Sequence, residues 1–551
     1  MEDTTFDYII VGGGVAGCVL ASRLSASLPN KSIHLIEAGP EDADDRVAPS
    51  MGVFLSDTND IQWNHHSIPQ KGLDGNTVQQ TQGQVLGGSS AINYQAWTRG
   101  SAAEFDRWAQ EVGDKRWSWT EMLPYFRRSE TFIPGKDMSQ ENSELHGYSG
   151  PIKVTHVSSS GKNRHYPLKA MVADLHETAG QKRNYDINSG DTLGYSEFAN
   201  ATFNGQRQWA AQYPRGKNVT LWPSTQAIKL LFAGTRVVGV DVLRNGSPST
   251  ATARKEVIVS GGAQNSPKLL LLSGIGPGAD LKKHQIRQIA DLPVGENFSD
   301  HPYMTTFWKV RDRGLSLGDM EMVTPDCDWT AGSGCDYLAF HRHEEEHLKK
   351  LARETLGTKE LERFELLGRP HTETFVMYGH IDLTGLVKAP VVTSCFSCMN
   401  ILIAPESRGS IRLASSSPTD APLVDPGLFT NPIDSQLMYE CARMNITAIK
   451  NSSATSKYGA VEFGIAEADR DDLSDEALRR RLVQTCSTVF HGSGTCAMGT
   501  VVDSECRVLG VRGLRVIDAS IFPFPIGAHY QAAVYAVAEQ MSEVIAGEAS
   551  F

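Results

Sequence analysis

Near the amino terminus, Gly12-Gly13-Gly14-Val15-Ala16-Gly17 satisfies a G-x-G-x-x-G pattern, and Glu37 follows twenty residues after the last glycine. These residue types at this spacing define a dinucleotide site. Gly12 permits a tight turn, Gly14 lets backbone N–H groups reach a pyrophosphate at the positive end of a helix, and Gly17 lets helix and strand pack closely. Glu37 stands where a carboxylate accepts both hydroxyls of an adenosine ribose, and its charge repels a 2′-phosphate, which argues against NADP. The motif does not separate NAD from FAD. The elements that must position it are legible in the pattern: Phe6 to Val11 reads as an apolar strand, Cys18 to Leu28 as a helix and Ser32 to Glu37 as a second strand. Together they make one β-α-β unit.

Other reactive side chains are grouped less informatively. Cys395 and Cys398 form a C-x-x-C, yet Val391 to Cys398 reads as a strand and no second pair completes a zinc site. His341, His343 and His347 lie in a run of dense charge that reads as the solvated face of a helix between His343 and Leu367, so no metal site is expected. The nine cysteines are odd in number and scattered, which reads as reduced thiols and not as a disulfide framework. Asn200, Asn218, Asn297, Asn445 and Asn451 stand in N-x-S/T sequons, which matter only in a secreted protein.

A chain of 551 residues, 40% hydrophobic and 21% charged, has globular composition and exceeds one small module. Its 50 glycines cluster again at Gly87-Gly88, Gly261-Gly262 and Gly274-Ile275-Gly276, as close backbone approach requires. A net charge of −12 provides no basic face for nucleic acid. The first residues lack a basic leader, and no run of about 20 apolar residues follows. The expectation is a cytoplasmic protein without membrane association, or a secreted one if a leader has been removed.

Ala43 to Gly83 reads as loops and short elements, and Ser101 to Val112 and Trp119 to Ser129 as helices. Asn218 to Val242 alternates as antiparallel strands turning near Gly234. Val257 to Ser260 is a strand entering Gly261-Gly262, with a helix begun at Ser266 and Pro267 in its first turn. From about residue 304 to 480 the character changes to strand-like pieces and many turns. Leu514 to Asp518 then reads as a buried strand and Gln531 to Ile545 as a closing helix. The pattern predicts an α/β dinucleotide domain assembled from separated segments, with a second domain inserted.

Gly83-Gln84-Val85-Leu86-Gly87-Gly88-Ser89-Ser90-Ala91-Ile92-Asn93 with Arg99-Gly100, and the stretch Gly262 to Gly276, resemble the two signatures of the glucose-methanol-choline (GMC) oxidoreductases. Val294 to Pro302, Pro405 to Ser410, His491 to Thr495 and Gly513 to Ser520 extend the resemblance over essentially the whole chain. The resemblance implies a Rossmann-like FAD-binding domain from residues 1–155, 200–303 and 481–551, and a substrate domain of antiparallel sheet plus helices from 156–199 and 304–480. It implies FAD held non-covalently, since no histidine stands at or beside Asn93 for a covalent link. Gly12, Gly14 and Gly17 then cradle the pyrophosphate, Glu37 holds the ribose, and Ala227 offers backbone groups to the adenine. Val85 and the stretch from Asn93 to Ala96 pass along the flavin. Asp518 and Ala519 reach the ribityl-pyrophosphate region, and Tyr530 and Gln531 lie near the pyrimidine edge.

His491 and His529, 38 residues apart, match the family's catalytic pair, and Ala528-His529-Tyr530-Gln531 is nearest to the aryl-alcohol oxidases. An imidazole suits removal of a hydroxyl proton while hydride leaves for flavin N5. His491 is expected as principal base and His529 as hydrogen-bond partner of the substrate oxygen. The other fourteen histidines read as non-catalytic, His301 among them, whose motif reads as a loop beside the cofactor. Two departures from the family pattern stand out: Thr81-Gln82-Gly83-Gln84 replaces a basic pair, and Tyr94 and Gln95 follow Asn93 in place of a small residue and Met. The implied reaction is oxidation of an alcohol to an aldehyde or ketone, with oxygen or another acceptor reoxidising the flavin. Trp63, Trp97 and Trp329 favour an aromatic or secondary-metabolite-like alcohol. The rival reading is a lyase or cyclase that keeps FAD as scaffold and uses the same histidines for proton transfer alone. A third, a binding protein with a dead site, is disfavoured by the presence of both histidines.

Overall fold

Strand Thr5–Val11 lies between Ile33–Ile36 and the end of Ser247–Val259, and all three run parallel. Ile9 and Ile10 are fully buried, as the apolar end of an interior parallel strand requires. The computed structural model describes residues 4–41, 44–138, 140–317, 323–325, 327–390 and 394–549. In the sheet the order is Val219–Trp222, Ile33–Ile36, Thr5–Val11, Ser247–Val259, Arg236–Arg244 and Thr225–Ala233, with Leu514–Val516 beside the last residues of Ser247–Val259. That long strand has two characters. Its first residues pair antiparallel with Arg236–Arg244, and Val257 to Val259 pair parallel with Leu514–Val516. Segments far apart in sequence thus complete one sheet.

The antiparallel reading of Asn218 to Val242 holds only for the hairpin Thr225–Ala233 and Arg236–Arg244, which turns at Gly234 (φ 65°). Val219–Trp222 instead runs parallel to Ile33–Ile36. Pro223, and Ser224 in the left-handed region (φ 47°), break the chain between them.

Helix Gly262–Leu272 begins four residues before the expected Ser266, so Pro267 sits in its interior. A proline there has no N–H for the carbonyl four residues earlier, that of Ala263. Thr495 Oγ1 donates to this carbonyl at 2.7 Å, which explains how the helix continues. Helix Ala102–Val112 carries a capping box between Ser101 and Glu104, and Trp119–Ser129 follows it as its sequence predicts.

A second sheet is antiparallel, in the order Val461–Phe463, Pro302–Lys309, Cys395–Leu402, Thr372–Met377, Tyr337–His341 and Gly194–Glu197. Ser487–Thr488 pairs with Pro302 and Tyr303 and brings the carboxyl-terminal segment to this sheet's edge. Cys395 and Cys398 are buried on a strand, while Val391 to Thr393 of that reading lie outside the described residues. The charged stretch departs from expectation. It forms two helices, Glu346–Thr355 and Thr358–Phe364, and His341 ends a strand. His341 and His343 are buried, hydrogen-bonded to Thr374 and Thr372, so His347 alone of the three stands on the solvated helix face. Among the described residues no helix is long and apolar enough to cross a membrane.

Candidate active site

A cavity of about 500 Å³ runs between the two sheets. Its lining takes in the dinucleotide residues Gly12, Gly14, Glu37 and Ala227 and the histidines His491 and His529. Asn93, Ala96, Asp518, Ala519, Tyr530 and Gln531 line it as well. Gly17 and Val85 do not. Any Cβ on Gly17 would strike the Gly12 carbonyl, so this glycine sets helix against strand. Val85 is buried in a small cluster with Val47, Ile61, Ala91 and Trp209.

The dinucleotide end fits FAD on its own geometry. Helix Val15–Ser27 opens onto the cavity with no side-chain cap at Gly14 and no acidic residue in its first turn. Its leading N–H groups and partial positive charge are therefore available to a phosphate. Gly14 and Gly88 approach so closely that a Cβ on Gly88 would lie 2.7 Å from Gly14 Cα. Glu37 Oε2 accepts from Gly13 N at 2.7 Å and Oε1 from Gly39 N at 2.8 Å, which leaves a lone pair on each oxygen for a hydroxyl donor. Burial pushes the Glu37 carboxyl up to about 7 against these backbone donors. Asp518 is held mainly by the start of helix Gly262–Leu272: it accepts from Gly262 N and Ser266 Oγ, and from Ser520 N of its own segment.

Arg207, which does not itself line the cavity, is fully buried and donates to Asn93 O at 2.7 Å, Asn93 Oδ1 at 2.9 Å and Val47 O at 3.1 Å. Burial lowers its guanidinium to about 9, and no carboxylate pairs with it among the described residues. Gln95, one of the two departures after Asn93, takes a left-handed backbone (φ 67°) and locks its amide on Ser50, accepting from Ser50 Oγ and donating to Ser50 O, both at 2.7 Å. Gln531 Nε2 donates to Ala96 O at 2.5 Å.

The two expected histidines meet with ring centroids 4.8 Å apart, nearly perpendicular. Three partners that the sequence reading passed over hold them. His301 Nδ1 lies 3.0 Å from His491 Nδ1, and the Tyr530 hydroxyl lies 3.0 Å from His301 Nε2. Asp300 Oδ1 accepts the backbone N–H of His491 at 2.7 Å and of His301 at 2.8 Å. Glu373, on the buried strand Thr372–Met377, places Oε1 and Oε2 at 3.0 and 3.2 Å from His529 Nε2. His301, read from sequence as non-catalytic, is buried and packed onto His491. Burial, with His529 and His301 adding to it, holds the His491 imidazole well below its ordinary range, so it is neutral. Around these rings Phe375, Met377, Met399, Ile401 and Phe490 make an apolar wall. Of the tryptophans proposed for this wall only Trp63 lines the cavity; Trp97 and Trp329 are core residues, Trp97 bonded to Glu130 and Trp329 packed on Tyr166.

Family models for the GMC oxidoreductases match residues 6–303 and 405–538. The GMC-type oxidoreductase acuG of Aspergillus aculeatus is 35% identical over 98% of this chain and 99% of its own. Patulin synthase of Penicillium expansum is 30% identical over 99% of this chain and 92% of its own. A point variant of formate oxidase of Aspergillus oryzae RIB40 superposes with a TM-score of 0.87 at 27% identity, covering 100% of this chain and 99% of that one. With the dinucleotide motif, the cavity and both family halves in register, the chain belongs to the GMC oxidoreductases and takes FAD as its cofactor.

Proposed function

We propose that the protein oxidises an alcohol to an aldehyde or ketone, with His491 taking the hydroxyl proton. The observation that carries this reading is the state of His491: half-buried, neutral and tied through Nδ1 to His301, with no protein partner at Nε2 among the described residues. In the tautomer where Nδ1 donates to His301, Nε2 keeps its lone pair for the substrate hydroxyl. Bound FAD supplies the hydride acceptor. His529 is held by Glu373 through Nε2, and its Nδ1, with no protein partner among the described residues, is left for the substrate. Gly12, Gly14 and Glu37 hold the pyrophosphate and ribose, Ala227 the adenine, and Asn93, Ala96, Asp518, Ala519, Tyr530 and Gln531 flank the rest of the cofactor.

The apolar wall of Phe375, Met377, Met399, Ile401 and Phe490 suits an aromatic or similarly apolar alcohol and excludes water from the reacting carbon. These side chains come mainly from the second sheet, which we assign to the substrate domain. Anaerobic mixing of the FAD-loaded protein with benzylic and aliphatic alcohols tests the reading. Loss of the visible absorbance of oxidised flavin is the expected result. Turnover of a substrate while the flavin stays oxidised would mean proton transfer without hydride transfer and would overturn it.

A further inference from the structure

Lys268 stands on helix Gly262–Leu272, is 6% exposed, and lines the cofactor cavity. Among the described residues it is the one lysine or arginine that does so, in a cavity whose carboxylates are Glu37 and Asp518. Among the described residues its ammonium has no hydrogen bond and no ion pair. Burial lowers it to about 8, and the one charge that opposes this is Asp420, an exposed residue already bonded by Ser415. A buried ammonium without a partner is costly and is retained where a ligand completes it.

The surroundings say which ligand. One turn before Lys268, Gln264 Nε2 donates to the Gln80 carbonyl at 3.2 Å, which docks the helix on the hairpin Gln62–His66 and Gln79–Gly83. That hairpin faces the cavity with Gln62, Trp63, Thr81 and Gln82, none of them charged. Its His65 is buried and lowered to about 4, by burial first and then by Lys268, so it is neutral. In the same cavity, the start of helix Val15–Ser27 beside Gly12 and Gly14 adds a partial positive charge. FAD brings two phosphate charges into this space.

We propose that Lys268 is the counter-ion of the FAD pyrophosphate, its ammonium donating to a non-bridging phosphate oxygen. The proposal concerns cofactor retention and does not depend on which reaction the enzyme performs.

Lys268→Met keeps the aliphatic stem and removes the charge, while Lys268→Arg keeps a charge; Lys268→Gln serves if the methionine variant does not fold. FAD release from the holoenzyme is followed by the rise of free-flavin fluorescence over a series of salt concentrations, with ADP and adenosine as competitors. The neutral variant should weaken FAD about tenfold at low salt, equivalent to ~1.4 kcal/mol, and flatten the dependence on salt. ADP should weaken with FAD while adenosine is unchanged, and Lys268→Arg should remain near the parent protein. Unchanged FAD affinity in the neutral variant overturns the proposal, as does an equal loss for ADP and adenosine, which would mark a contact to the nucleoside.

Discussion

His301 and His491 face each other nitrogen to nitrogen, with 3.0 Å between their Nδ1 atoms, so one proton serves both. If it rests on His491, the Nε2 of that ring is a base, and if it rests on His301, Nε2 of His491 carries the proton instead. Tyr530 and Asp300 hold His301 in place for this exchange. His301→Ala should lower the rate of alcohol-dependent flavin reduction by about ten- to hundredfold through lost orientation. Stopped-flow reduction at saturating alcohol checks this, and KM and bound FAD should be nearly unchanged.

Removing the base itself should cost more. His491→Ala is expected to slow flavin reduction by about 10² to 10⁴-fold, the usual contribution of a positioned general base. The variant should remain yellow, because no contact between His491 and the dinucleotide end of the cavity is required for FAD retention. Turnover within about threefold of the parent would reassign the base.

Glu373 acts through His529, whose Nε2 it holds with both oxygens. Replacing the carboxylate by an amide in Glu373→Gln keeps the shape and loses a charge-assisted bond worth about 1.5–3 kcal/mol. The expected result is a fall of about tenfold in kcat/KM, and little further loss when His529→Ala is added, since the two residues then form one unit. Steady-state kinetics on the two single variants and the double variant decide this.

Glu37 gives the cofactor site a pH dependence whose sign is fixed. Burial raises its pKa from 4.5 to about 7, so any stability it contributes is complete below pH 4.5 and lost as pH rises through 7. Ribose hydroxyls donate best to the ionised carboxylate, so FAD affinity should tighten as pH rises through about 7. Equilibrium titration of FAD release across this range tests it, and Glu37→Gln should flatten the curve while weakening binding.

Arg207 holds Asn93 and Val47 by their carbonyls from a fully buried position. Arg207→Met strands these oxygens without water at about 1–3 kcal/mol each. Thermal unfolding should show a lowered Tm and earlier release of FAD. Arg207→Lys should rescue it only in part, because one ammonium cannot span the same fork.

Much of the cofactor end was legible because its signals are local. A strand, three glycines, a helix and an acid within the first 37 residues state their own geometry, and the structure adds only that Gly17 acts on Gly12 and not on the cavity wall. The partners of the histidines were not legible in the same way. Glu373 lies 156 residues from His529 on a strand buried throughout, where alternation carries no information about which residue is functional. Arg207 bonds to backbone carbonyls, which leave no mark on the sequence. The interior Pro267 misled the placement of its helix, because the hydroxyl that compensates for it comes from Thr495. His341 and His343 were assigned to a charged helix by composition, and the strand ending at His341 draws both inward.

The sheet that carries the dinucleotide site takes strands from residues 5–36, 219–259 and 514–516. A ribosome must therefore release nearly the entire chain before its last strand can dock beside Val257 to Val259. Contacts closed over such distances are slow to form. Until then the amino-terminal glycine turn exists without its far neighbours, and cofactor capture becomes an event that follows synthesis.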